Sequence, residues 1–318
     1  MQLSNSVELQ SASNQVDILV IDNDLAKAQI SLHGGHILSF KPKSDNRERL
    51  WVSQVAVLDG TKPIRGGIPI CWPWFGAHPS KAEPSKADLS KADLSKADLS
   101  KDRPAHGYVR TQQWHLIDCV DSDIGTVITL KPKSAVNPGF DVEGEDDVDL
   151  QLMVSIGHKL EVQLTTKNTG AKAFKFGGAL HSYFNVEDIR QTQLHGLSGD
   201  YLDKTLSFSK RDSSNRDSSD KISFPITTPE NYRFQKETDN IHLTLEKHFT
   251  VRTASFSIDV ESQGHDSIVV WNPWIEKSIA MADMQDGGYQ SMLCVEAAIT
   301  QGVILAPNEQ HTLTQIIQ

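Results

Sequence analysis

The sequence is poor in cysteine. Cys71, Cys119 and Cys294 are three in 318 residues, an odd number set far apart. That excludes a disulfide scaffold and suits a reducing compartment. No CxxC or His/Cys cluster is present, so a structural zinc site is not expected. Positive charge is also short, leaving a net charge of −10. Phosphate backbones demand a basic footprint, so nucleic acid is not expected as a partner. A local cationic pocket for a small phosphate is still allowed. No apolar run is long enough to span a membrane, and Met1–Gln15 lacks the basic n-region and apolar core of a signal peptide. The expected location is the cytoplasm, without a membrane partner.

Sustained helical periodicity is missing too, and period-two alternation takes its place. Val148, Leu150, Leu152, Val154 and Ile156 alternate with mostly polar neighbours, and Leu160, Val162 and Leu164 resume after Gly157-His158. This predicts a hairpin with one buried face. Ile241, Leu243 and Leu245 form a second alternating run, and Ala254, Phe256, Ile258 and Val260 a third. Val127–Leu130 and Leu313–Ile317 are weaker strand candidates. The expectation is an all-β sandwich or barrel.

Residues 85–101 repeat SKADL with period five, which fits neither helix nor strand. Its leucines advance by about 140° net per repeat on a helix and make no stripe. The segment reads as a solvated loop insertion over 80–102, with a lid or docking role as the alternative. Ser209–Asp220 reads as a second polar loop. Strand patterns continue on both sides of each, so one domain over 1–318 is expected.

Four clusters carry chemistry. Arg65-Gly66-Gly67 leads into Cys71-Trp72-Pro73-Trp74-Phe75. Its guanidinium suits phosphate oxygens, and its aromatics suit the C–H face of a sugar. A Gly/Pro turn beside core aromatics is the structural alternative. His106 and Arg110 are four apart, and in a strand both would point one way. His181 follows Gly177-Gly178 and is the side-chain type best suited to exchange protons near neutrality. Glu296 ends the apolar run Met292–Val295, where burial would raise its pKa. Satisfied structural roles remain open for each.

Taken in order, RGGIPICWPWFG, PAHGYVR, HSYFN, YLDK and CVEAA resemble the hexose-6-phosphate branch of the aldose 1-epimerase family. GGHILSFKP (34–42) and WNPW (271–274) are similar to it as well. The resemblance runs from about Leu19 to near the C-terminus. It implies a large antiparallel β-sandwich of the galactose-mutarotase type, no metal or organic cofactor, a sugar-phosphate substrate and a monomer. By position, His181 matches the general acid and Glu296 the general base. Arg65 and Arg110 match sugar-phosphate ligands, His106 a second active-site histidine, and Asp203 in YLDK a polar ligand. Asp283 is a further candidate.

The implied reaction opens the sugar ring at C1–O5 and closes it on the other carbonyl face. A mutarotase for unphosphorylated aldoses and a non-catalytic sugar-binding protein are the alternatives. A metal-dependent barrel enzyme is less supported, since no HxH or HxxE pair accompanies His106 or His181.

Overall fold

Alternation of apolar and polar residues builds this chain almost entirely from strands. We describe a computed structural model covering residues 3–78, 103–133, 148–206 and 226–318. The SKADL insertion over 80–102 and the 209–220 stretch lie outside the described residues. The hairpin expected from sequence pairs Val148–Ile156 with Leu160–Asn168, closing at Ile156 and Leu160. Every second residue of both strands is buried.

That hairpin sits in a nine-stranded sheet. Its order is Tyr232–Arg233, Gln193–His195, His248–Arg252, Ser257–Gln263, Gln310–Ile317, Leu160–Asn168, Val148–Ile156, Gly125–Pro132 and Trp114–Ser122. An eight-stranded sheet runs Ile226–Thr227, Asp200–Asp203, Thr238–His242, Ser267–Asn272, Met292–Leu305, Phe174–Leu180 and Ile70–Cys71, with Tyr183–Asn185 also paired to Met292–Leu305. Strands Val7–Gln10 to His36–Pro42 form a four-stranded meander. Adjacent strands in these sheets pair antiparallel. The architecture is therefore the antiparallel β-sandwich expected, with one short α-helix among the described residues, Trp274–Ile279. No helix among the described residues is long and apolar enough to cross a membrane.

The core joins the two large sheets. Val295, Ala297 and Ile299 of one share a contiguous cluster with Val162, Ile258, Leu313 and Ile317 of the other. The first eight residues of Met292–Leu305 are all buried, so this strand is covered on both faces. Glu296 therefore does not end a strand, as its sequence suggested. It lies within a strand of 14 residues.

Two other expectations are corrected. The Ile241 run ends at His242, and Leu243 and Leu245 are exposed. Thr238, Asn240 and His242 occupy the fully buried positions instead. Each of the last two finds one partner: the Asn240 amide donates to the Tyr232 hydroxyl, and His242 Nδ1 lies 3.1 Å from Thr228 Oγ1, while Asn240 Oδ1 and His242 Nε2 have none among the described residues. The third run starts only at Ser257, with Ala254 exposed before it.

The Arg65-Gly66-Gly67 turn threads between two chain segments. Gly67 has φ +63°, and a Cβ there would collide with the Ile37 carbonyl. Gly199 also has positive φ, +79°, but open space around it. Gly199→Ala should cost about 1 kcal/mol from backbone strain alone. Gly67→Ala should cost about 3 kcal/mol or more, since strain and collision add. Urea unfolding midpoints compare the two; equal losses would contradict the close approach.

Candidate active site

The site is built on the face of the eight-stranded sheet turned away from the nine-stranded one. Cys294 and Glu296 are two apart in their strand and so share a face. The register carries this face outward. Glu296 pairs with Val269, which pairs with Ile241 and then Leu202. Cys294 pairs with Trp271, and Trp271 with Asp239. His181 enters from the junction of Phe174–Leu180 and Tyr183–Asn185, both of which pair with the Glu296 strand. Its backbone N–H donates to the Pro69 carbonyl, which ties it to the Arg65 segment.

His181 Nδ1 lies 3.2 Å from Glu296 Oε1. The approach lacks hydrogen-bond geometry, and His181 Nδ1 and Glu296 Oε2 are each buried without a hydrogen-bond partner among the described residues. Glu296 is 1% exposed and His181 8%. Burial pushes the Glu296 carboxyl well above its ordinary range, and the Asp239 carboxylate adds to this. Burial likewise pushes His181 well below its ordinary value, helped by His106, Arg110 and Arg65. Both shifts favour the neutral forms, a carboxylic acid beside a neutral imidazole.

Aromatic rings hold the imidazole. Tyr183 stacks on it at 4.9 Å and 9°, and Trp271 meets it edge-on at 6.3 Å. His106 lies 5.5 Å from it, and Phe75 packs edge-on against both histidines. Of the three aromatics expected to face a sugar, Trp72 and Trp74 are core residues. Trp72 donates to Thr166 Oγ1 across the sandwich, and Trp74 to the Pro104 carbonyl. Only Phe75 borders the site.

The cations are placed unequally. Arg65 donates from Nε to Asp283, at 3.2 Å, and from Nη1 to Tyr183 Oη, at 3.0 Å. Its Nη2 also lies 3.1 Å from Asp283. Burial alone would weaken its charge, but Tyr183 and Asp283 outweigh this and fix the guanidinium as a cation. Arg110 donates from Nη2 to the Ala105 carbonyl, while its buried Nε has no hydrogen-bond partner among the described residues. The expected extended stretch from His106 to Arg110 is not formed. His106 and Gly107 both have positive φ, and Val109–Thr111 is a 3-10 turn. Arg110 is nevertheless close enough to depress the pKa of His106 after burial has lowered it. His106 Nδ1 accepts from the Gly76 N–H.

Asp203 is not brought to this cluster. It pairs with Asn240, on the opposite side of the sheet from Glu296, and its carboxylate closes the Thr205 turn. The neighbouring Lys204 faces the site instead and pairs with Asp239 at 3.5 Å. Both perturb Glu296. Tyr183, Trp271, Lys204 and Asp239 were missed in the sequence. Strand parity could have found Tyr183, two residues from His181, and could have preferred Lys204 to Asp203 once one of them was on the site face.

The burial of Glu296 sets a stability test. Above its ordinary value of 4.5 the unfolded chain releases this proton and the folded chain keeps it. Its contribution to stability therefore falls as pH rises. Glu296→Gln removes the effect. Relative to wild type, the variant should gain about 1 kcal/mol or more between pH 5 and pH 8. Thermal unfolding at the two values checks this; an unchanged difference would mean an ionised Glu296.

Comparisons with known proteins bear on the family of the chain. The aldose 1-epimerase family model matches residues 17–318. A Salmonella typhimurium protein named "Putative glucose-6-phosphate 1-epimerase" is 30% identical over 285 residues, covering 89% of this chain and 83% of the relative. A Cenchrus ciliaris protein of the same name is 29% identical, covering 89% and 78%. The crystal structure of a "putative mutarotase (YeaD)" from Salmonella typhimurium matches with a TM-score of 0.81 at 27% identity, covering 99% of this chain and 94% of the other. This chain belongs to the aldose 1-epimerase family.

Proposed function

We propose that this aldose 1-epimerase interconverts the α and β anomers of a hexose 6-phosphate, glucose 6-phosphate foremost, with His181 and Glu296 as its acid–base pair. The observation that carries this is the buried 3.2 Å approach of the two side chains. Anomerisation needs one proton removed from the C1 hydroxyl and one delivered to the ring oxygen. In the closed-ring complex Glu296 is the carboxylate and His181 the imidazolium. Glu296 takes the C1 proton, His181 gives its proton to O5, and the C1–O5 bond breaks to leave an open aldehyde. Rotation about C1–C2 and closure with the roles reversed gives the other anomer. Each positioned group contributes roughly 10²–10⁴-fold. No organic cofactor enters this scheme.

The neutral and charged forms of the pair differ only by moving one proton between them. Binding a phosphate would favour the charged form. Arg65 and Arg110 help hold the His181 pKa down, and a phosphate beside them offsets their field. The substrate's anion would thus prepare the acid as well as anchor the sugar. His106 is assigned to the sugar hydroxyls. The names of the two relatives support the phosphate. A neutral aldose is the second reading, favoured by one observation: Arg65 is already engaged by Asp283 and Tyr183.

Anomer exchange followed by NMR saturation transfer distinguishes the two. Glucose 6-phosphate should exchange at least about tenfold faster per enzyme than glucose at equal low concentration, a difference of about 1.4 kcal/mol. Arg110→Gln should erase most of that preference. Equal rates on both sugars would contradict the phosphate reading, and full activity in His181→Asn would contradict the mechanism.

A further inference from the structure

The thiol of Cys294 takes no part in the scheme above, yet it sits on the same face as Glu296, two residues away. One ligand atom each from Cys294, His181 and Glu296 lies within 4.8 Å of the others, and all three residues are buried. Among the described residues this is the only such trio of His, Cys, Asp or Glu side chains. Two of its polar atoms, His181 Nδ1 and Glu296 Oε2, have no hydrogen-bond partner among the described residues, although both residues are more than nine-tenths buried. Buried polar atoms are ordinarily paired, so a bound ion is one way to satisfy these two.

We propose that Cys294, His181 and Glu296 form a zinc-binding site, and that a zinc ion seated there reversibly blocks the acid–base pair. The donor set selects the metal. Thiolate and imidazole favour zinc over magnesium or calcium, which prefer oxygen ligands. Three protein ligands leave a fourth tetrahedral position for water. Ligand atoms around one zinc lie about 3.3–3.8 Å apart, so closing the trio needs side-chain shifts of about 1 Å. Charge also balances. Cys294 and Glu296 each release a proton to solvent, and one thiolate plus one carboxylate neutralise the dication beside a neutral imidazole. A buried neutral complex avoids most of the penalty on an uncompensated charge.

No ligand spacing of the usual kind marks this trio, because it is assembled by strand pairing. Tyr183 pairs with Cys294, which carries His181 across the strand from the Cys294–Glu296 edge. Metal binding here stands on geometry alone. That it inhibits rests on the proposed anomerisation, since zinc would occupy the carboxylate needed as base and immobilise the imidazole.

Cobalt(II) replaces zinc and reports a thiolate ligand by its near-ultraviolet charge-transfer absorption. Titrating the full chain with cobalt chloride should produce this band at one equivalent, and zinc chloride should remove it. Cys294→Ala, or Cys294→Ser where alanine unfolds the chain, should lose the band and escape zinc inhibition while keeping metal-free anomer exchange. Cys71→Ala and Cys119→Ala should retain the band. His181→Asn keeps the thiol and should bind cobalt at least about tenfold more weakly. No band in the wild type, a band surviving Cys294→Ala, or unchanged affinity in His181→Asn would overturn the site. A band with sugar exchange insensitive to zinc would overturn the blocking claim. A band in a chain that exchanges no sugar anomers would support the metal site and count against the anomerase instead.

Discussion

A carboxyl group in the middle of a fully covered strand, with an imidazole as its near neighbour, is the constraint on which this structure turns. Glu296 is buried on both faces and, among the described residues, touches no Lys or Arg. Taking an isolated carboxylate out of water costs several kcal/mol or more, so the group keeps its proton. His181 meets the same low-dielectric surroundings and stays neutral. The neutral pair and the ion pair contain the same number of protons. A ring-opening reaction that passes one proton from C1 to O5 converts the ion pair into the neutral pair. Burial therefore favours the protonation state that accompanies the open-chain intermediate.

The rest of the fold serves that pair. The strand Met292–Leu305 is flanked by Ser267–Asn272 on one side and Phe174–Leu180 on the other, which fixes the Glu296 backbone. Tyr183 links two functions, stacking on His181 while accepting from Arg65. Arg65 is in turn held by Asp283, so a guanidinium is fixed near the imidazole at no net local charge. Lys204 and Asp239 form a weaker pair on the other flank, with opposite effects on Glu296. Cation and anion are coupled on both sides. An incoming anionic group would disturb this balance more than a neutral sugar would.

Much of the fold could be read in the sequence because burial there is one-sided. The Val148–Ile156 hairpin alternates cleanly, since one of its faces meets the core and the other does not. The same reading fails where both faces are covered or where polar residues face inward. Glu296 looked like the end of an apolar run because its carboxylate interrupts it, yet the following Ala297, Ala298 and Ile299 are equally buried and no alternation marks the register. Ile241 looked core-facing, but Asn240 and His242 hold the inner face through hydrogen bonds no pattern reveals. His181 and Glu296 were legible as residue types within recognisable motifs. Their contact spans 115 residues and is fixed only by strand pairing, as are Arg65 with Asp283 and the Cys294 neighbourhood. Asp203 was chosen over Lys204 on motif position, and the parity of one short strand reverses the choice of face.

The protonation state of Glu296 in the substrate-free protein tests this account most directly. Infrared difference spectra of wild type against Glu296→Gln at pH 7 isolate its carboxyl stretch. The account predicts the band of a protonated carboxylic acid, shifted by deuterium exchange. A carboxylate band at pH 7, paired with a protonated His181, would contradict it.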